Sequence, residues 1–435
     1  MSKCFALFST AVALALAGCG DVPDDLAPEA RLARLNRPNL VLLMVDTLRA
    51  DWLEPYGYGE PVSPELQRWA SRGIVFERAL AQSSWTKMSM ASLFTSLWPR
   101  THGVELSTDG LGEGALLLAE VLRDAGYATA AVQSNGWLEQ SFGFQQGFDH
   151  YVFPRAWSVK QFSSAWPHRD RVLEEASRLL EAHDPEQPLF LYLHFMDVHE
   201  YASPPEFRTF GNDERGFYLA AIRWVDEALR HIQEMLAERD LLEDTVLVFA
   251  SDHGEAFGEN QAYGHAYNVF SPVLRVPLVV KLPFDVPARR VRTQVRNIDI
   301  APTLLDLAGV AIPEGFEGSS LVPLMFGPEP EVDRVSYASL RAHIMLDSKL
   351  QAAVNDGSWT LVRDLEEGGE EHLFDLAVDP REDANILDLE PDRADHMRKL
   401  LDTHERAGAR AGVNREEVRI DPKIAERLRA VGYLQ

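Results

Sequence analysis

Short, wholly apolar runs alternate along this chain with longer stretches in which apolar residues recur at helical spacing. Val41-Leu42-Leu43-Met44-Val45 and Val246-Leu247-Val248-Phe249-Ala250 contain no polar position. Such runs read as strands buried on both faces, as in parallel sheets covered by helices. Further strands are predicted at 128–132, 189–195, 245–250 and 278–281, and long helices at 170–182 and 217–239. Another helix, 300–308, ends at Gly309 in the C-cap position. Ser63-Pro64-Glu65 reads as an N-cap followed by proline at the first helical position, with Gly73 stopping that helix. The alternation holds from 39 to about 324 and predicts an α/β fold, a mostly parallel, mixed central sheet between helices.

From about 334 the texture changes to short strand-like runs. Residues 350–354 and 359–362 flank Asn355-Asp356-Gly357, a hairpin turn signal, and predict a small antiparallel sheet. The predicted organisation is 1–19 as a signal, 20–37 as a tether and 38–330 as the main domain. A small β subdomain at 331–390 and a charged helical tail at 391–435 follow.

The 435 residues can bury a large core with a smaller appendage. A net charge of −25 argues against a nucleic-acid partner, which needs a basic face. At the N-terminus Lys3 supplies a positive start and residues 5–16 an apolar stretch. Leu16-Ala17-Gly18-Cys19 then resembles a bacterial lipoprotein signal, in which cleavage leaves Cys19 as the lipid-carrying first residue. An ordinary secretory signal containing a cysteine is the alternative. The lipoprotein reading predicts a protein of the bacterial cell envelope, lipid-anchored to a membrane on its periplasmic or extracellular face. Both cysteines, Cys4 and Cys19, lie in this segment, so the fold itself holds neither disulfide nor free thiol.

The chemistry is suggested by where the apolar runs stop. One ends at Asp46 and the other at Ser251-Asp252-His253, at the sheet edge where open α/β proteins keep their sites. Carboxylate and imidazole together suit a divalent cation; His253 tilts the choice toward zinc or manganese, whereas an all-oxygen set would favour calcium. Each acid could equally be a turn or N-cap residue, and 252–255 a helix start with acidic first-turn residues. A third element, residues 84–93, is a hydroxyl-rich turn leading into an amphipathic helix. It sets Thr86 at a helix N-terminus, where backbone N–H groups and the dipole favour an anionic oxygen. Beside a metal Thr86 becomes a nucleophile; without one it is a plain N-cap.

Further ordered motifs run through Val45-Asp46-Thr47-Leu48-Arg49-Ala50-Asp51, Pro99-Arg100-Thr101-His102-Gly103-Val104 and His194-Phe195-Met196-Asp197-Val198-His199. They continue through Ser251-Asp252-His253-Gly254-Glu255, Asp299-Ile300-Ala301-Pro302-Thr303 and Leu373-Phe374-Asp375-Leu376. In these motifs the chain resembles the sulfatase family of the alkaline phosphatase superfamily. The resemblance implies an alkaline-phosphatase-like fold with a catalytic domain at 38–330, and hydrolysis of an anionic ester of a glycan, lipid or small molecule. The family's formylglycine arises from Cys or Ser in a C/S-x-P-x-R motif; here Thr86, Met88 and Met90 stand at the first, third and fifth positions. Thr cannot yield that aldehyde, and the first metal-binding strand offers Asp46-Thr47 instead of two acids. The set Asp46, Thr86, Asp252 and His253 resembles the phosphatase and phosphodiesterase branches, where a metal-activated hydroxyl attacks phosphorus.

In phosphoethanolamine transferases, which the likeness brings in, histidines at places comparable to those of His199 and His265 bind substrate or a second metal. Here His199, and His265 about three helical turns beyond His253, bind an oxyanion or protonate the leaving group, or are surface or hydrogen-bonded core histidines. Lys87 either stabilises charge on the transferring group or is an exposed lysine at a helix start. Asp197 either orients His199 or caps a turn, and His194 reads as strand core. Asn135 stands where many members carry a lysine and keeps a hydrogen-bond donor without its charge. Arg100 and His102 read as structural. Two rival functions remain open: a phosphoryl-group transferase of the envelope, and a non-catalytic binding lipoprotein.

Overall fold

The computed structural model describes residues 27–32, 35, 37–154, 168–342, 344, 348–408 and 415–418. The chain divides into two units, Met1–Leu35 and Asn36–Gln435. In the first, Pro28–Leu32 is helical, a turn of structure inside the expected tether. The apolar signal and Cys19 lie outside the described residues.

The second unit is built on an eight-stranded sheet. In chain order its strands are β1 (Asn39–Val45), β2 (Ile74–Phe76), β3 (Ala128–Val132), β4 (His150–Val152), β5 (Leu189–Phe195), β6 (Thr245–Ala250), β7 (Leu278–Lys281) and β8 (Arg289–Val291). Their spatial order is β8-β2-β7-β6-β1-β5-β3-β4. β7 runs against both neighbours, and every other pairing is parallel. All residues of β1, β5 and β6 are buried, as their apolar runs require. Val41, Leu43 and Val45 pack with helices α2 (Arg169–Ala182) and α3 (Glu214–Ala237) through Val172, Leu179, Tyr218 and Ile222. On the opposite face α1 (Thr86–Thr95) sets Phe94 edge-on to Tyr192 of β5, ring centres 5.1 Å apart. Each fully buried Leu or Val contributes about 1.5–3 kcal/mol, so a polar side chain in these strands would be strongly destabilising.

The small antiparallel sheet is present as four strands, β9 (Ser336–Leu340), β10 (Gln351–Asn355), β11 (Trp359–Asp364) and β12 (Glu371–Asp375). Helix α4 (Pro391–Gly408) covers it through Ala394, Met397 and Leu401. Local readings needed three adjustments. Helix Pro64–Ala70 stops before Gly73, whose place is set by the Val280 carbonyl, 2.6 Å from where a Cβ would stand. Ser63 precedes that helix without capping it; the Asp226 carboxylate accepts from the N–H groups of Glu65 and Leu66 instead. The tail is not helical throughout, since Arg415–Glu417 pairs as a strand with Asp109–Leu111. Among the described residues no helix is long and apolar enough to cross a membrane.

Candidate metal centre and its neighbouring hydroxyl

Parallel register puts the ends of β1 and β6 side by side, with Met44 opposite Ala250. Asp46 is the first residue past β1, its N–H still bonded to the Phe195 carbonyl at 3.0 Å. Thr47 then turns the chain with φ of +59°, a left-handed conformation rare for a β-branched residue. Three hydrogen bonds hold it there: its N–H to Asp252 Oδ1 (3.2 Å), its carbonyl from the Tyr218 hydroxyl (2.8 Å) and its hydroxyl to the Asp46 carbonyl (2.8 Å). Where the family likeness suggests a second acid, this chain therefore ties the ends of β1 and β6 together.

Residues 251–255, directly past β6, form no helix. Ser251 Oγ accepts from Leu48 N–H and donates to the His253 carbonyl, and Asp252 Oδ1 accepts from His253 N–H. Gly254 is required by crowding, because a Cβ there would lie 2.2 Å from the Pro272 carbonyl.

The Asp46 carboxylate is shared by several donors. Its Oδ2 accepts from Asn135 Nδ2 (2.7 Å), His194 Nε2 (2.9 Å) and the Thr86 hydroxyl (3.5 Å). Asp46 Oδ1 and Asp252 Oδ2 are buried without any hydrogen-bond partner. His253 Nδ1 donates to the Gly254 carbonyl at 3.0 Å, which leaves the Nε2 lone pair facing inward. That nitrogen lies 3.3 Å from Asp252 Oδ2, 3.9 Å from Asp46 Oδ1 and 3.2 Å from Thr86 Oγ1. Two orphaned carboxylate oxygens and a nitrogen lone pair pointing at one another repel unless a cation stands among them. Ligand atoms of Asp46, Asp252 and His253 lie within 4.8 Å of one another, the one such group among the described residues. Mixed oxygen and imidazole donors fit a zinc- or manganese-type ion.

The electrostatics agree. Burial raises Asp46, but the His194 hydrogen bond and the neighbouring imidazoles outweigh it and hold the carboxyl well below its usual range. Burial and the adjacent Asp46 charge push Asp252 up instead. A divalent cation would hold both ionised.

Thr86 is the first residue of α1 rather than its N-cap, which is Trp85. Its hydroxyl, wholly buried, also lies 3.3 Å from Asn135 Nδ2. Lys87 is neither exposed nor turned to this group: its ammonium donates to the Ser107 carbonyl (2.8 Å) and sits 3.7 Å from the centre of the Phe142 ring. Burial drives it well below the ordinary lysine value, and no hydrogen bond joins it to Thr86 or the two acids. Successive residues of a helix point about 100° apart, which is why neighbours in sequence part company here.

His265 arrives by a hairpin, Ala256–Phe257 against Tyr263–Gly264, and not along a helix. Its ring stacks on His253 at 4.7 Å, and His199 lies 4.8 Å beyond it, so three imidazoles extend from the centre. Burial lowers both outer histidines, His265 to about 3. Glu255, raised by burial to about 8, lies 3.3 Å from His265 Nδ1. Neither histidine belongs to a three-ligand group with the acids among the described residues. Asp197 does not bond His199; its Oδ1 caps the start of α2 by accepting from the N–H groups of His168 and Arg169. His102 is structural, bonded to Ser92 Oγ and Val104 N–H.

His194 escaped the sequence reading. It lies in the strand core as expected, yet shares a face with Tyr192 and bonds Asp46 from there. The signal was a lone imidazole in an otherwise apolar strand, two residues from Tyr192 and hence on the same side.

The sulfatase family model matches residues 38–310, and a model for the C-terminal part of N-sulphoglucosamine sulphohydrolase matches 258–407. The ulvan-active sulfatase of Formosa agariphila is 26% identical over 400 residues, 81% of this chain and 77% of the relative. A solved complex with the substrate D-glucosamine-2-N,6-O-disulfate superposes with a TM-score of 0.72 at 18% identity, covering 87% of this chain and 99% of that one. The phosphonate monoester hydrolase of Agrobacterium radiobacter gives 0.72 at 21% identity, covering 89% and 99%. The chain belongs to the sulfatase family, and with it to the ester hydrolases.

Proposed function

We propose that this protein is a metal-dependent hydrolase of an anionic ester, with Thr86 as the nucleophile. The observation that carries the reading is the Thr86 hydroxyl, 3.2 Å from His253 Nε2 and 3.5 Å from Asp46 Oδ2, beside two partnerless carboxylate oxygens. Asp46, Asp252 and His253 would hold a divalent cation, which when bound would supply Lewis acidity and lower the pKa of an adjoining oxygen. No lysine or arginine hydrogen-bonds these residues among those described, so attraction of an anionic substrate falls to that cation and to the N-terminus of α1.

Thr86 Oγ1, oriented by Asn135 Nδ2, attacks sulfur or phosphorus. The bond from Oγ1 to that sulfur or phosphorus forms as its bond to the leaving alcohol oxygen breaks; the hydroxyl proton leaves Oγ1 and a proton reaches the departing oxygen. Water then adds to the same centre, releases the acid and returns the hydroxyl. The Glu255–His265 pair, 3.3 Å apart and beside His253, is placed to serve both proton movements.

The relatives favour a sulfated saccharide as substrate, since one acts on ulvan and a structural neighbour binds a glucosamine disulfate. A threonine alkoxide suits phosphate esters and diesters better, and the likeness to a phosphonate monoester hydrolase is compatible with that chemistry. The test is metal analysis of purified protein together with rates on an aryl sulfate, an aryl phosphate and a phosphodiester. Stoichiometric metal and loss of turnover in Thr86→Ala are expected; a folded Thr86→Ala protein with full activity removes the hydroxyl from the mechanism. The lipoprotein signal adds an envelope location, anchored at Cys19. Cys19→Ser should release the protein from the membrane fraction, and continued sedimentation would refute the anchor.

A further inference from the structure

A cavity of about 360 Å³ is lined by Arg49, Arg215, Arg275 and Arg381 around Trp52 and Tyr58. Arg49 is already committed: it pairs with Asp51 at 2.7 Å and Glu259 at 2.6 Å, and donates to the Glu255 carbonyl at 3.1 Å. That last bond joins the cavity wall to the loop carrying His253. None of the other three guanidiniums forms an ion pair with a described residue, though the charges of Glu60 and Asp213 reach Arg215. Arg215 bonds the Tyr58 hydroxyl (3.1 Å) and lies over the Trp52 ring. Arg275 donates to the Glu77 carbonyl (3.2 Å) and keeps a buried Nε without a partner. Arg381, on the turn after β12, has no hydrogen bond or ion pair to the described residues.

In a chain of net charge −25, three guanidiniums without an ion pair around a single cavity offer donors to an external anion, while Asp51 and Glu259 of the same wall are held by Arg49. The planar N–H forks match sulfate and carboxylate oxygens. The aromatic wall supplies an apolar surface, and the volume lies in the range of small-molecule sites. We infer that this cavity binds a non-reacting oxyanion of an anionic saccharide, holding a polymer whose ester is cleaved at Thr86. The proposal rests on the anionic-ester reading of the site for its substrate class.

Binding of a heparin octasaccharide is measured by calorimetry on protein carrying Thr86→Ala, with neutral maltooctaose as the control. Arg215 and Arg381 are exposed, so the double replacement R215A/R381A threatens the fold little, and a thermal melt checks it. Binding of heparin alone, weakened about tenfold or more by the double replacement, is expected from two lost charged hydrogen-bond donors. No binding of heparin, or equal binding by the double variant, overturns the cavity's role. Aryl-ester turnover by the unsubstituted enzyme is read separately, so loss of the polymer site and loss of the hydrolase reading are told apart.

Discussion

His194 Nε2 and Asp46 Oδ2 stand 2.9 Å apart with neither side chain exposed, and the hydroxyl of Tyr192 completes the line at 2.5 Å from His194 Nδ1. In the neutral imidazole the Nε2 proton goes to Asp46, so Nδ1 accepts from Tyr192. The chain fixes the carboxylate's rotation and leaves Oδ1 for a cation. Replacing His194 with leucine should therefore weaken metal binding about 10–100-fold. Tyr192→Phe should cost less, about 1 kcal/mol for one lost hydrogen bond. Calorimetric metal titration decides; an unchanged affinity in His194→Leu would show that the relay is only packing.

Thr86→Ser keeps the hydroxyl and Thr86→Val keeps the shape. If the oxygen is the nucleophile, the serine variant retains turnover, whereas the valine variant loses several kcal/mol of transition-state stabilisation. Comparable rates for the two would shift the attacking role to water. Steady-state rates on the best aryl ester make the comparison.

The facing oxygens of Asp46 and Asp252 predict a fold that is weaker without its ion. Saturating metal at about a thousand times its Kd adds about 4 kcal/mol, seen as a melting temperature several degrees higher than in chelator-treated protein. The increment should vanish in Asp252→Asn. A melt indifferent to chelator in the parent protein would contradict a bound structural charge at this place.

His102 sets a pH dependence whose direction can be worked out. Burial lowers its folded pKa to about 3, against 6.5 as the ordinary value, and its Nδ1 already accepts from Val104 N–H. Below pH 6.5 the unfolded chain takes up a proton that the fold refuses, so stability falls as pH drops toward 3. The slope from this residue is about 1.4 kcal/mol per pH unit. Denaturant unfolding of His102→Gln between pH 7 and 5 should show a shallower decline than the parent; parallel slopes would place the acid sensitivity elsewhere.

The sheet was legible because burial on both faces leaves one chemical solution, and strands 128–132, 189–195, 245–250 and 278–281 occur as read. Where the chain needed partners from afar, local signals misled. Ser63 looked like a cap, but Asp226, remote in sequence, does the capping. Lys87 looked like a neighbour of the Thr86 chemistry, yet helical rotation delivers it to an aromatic pocket.

The order of residues alone determined which side chains end β1 and β6 and that a hydroxyl opens α1. Tertiary structure decided what those groups face. Parallel pairing brings Asp46 and Asp252 together, a hairpin swings His265 onto His253, and β5 supplies His194 from the next strand. Strand identity follows from local hydrophobic pattern, whereas carboxylate direction depends on long-range hydrogen bonds that no local pattern encodes.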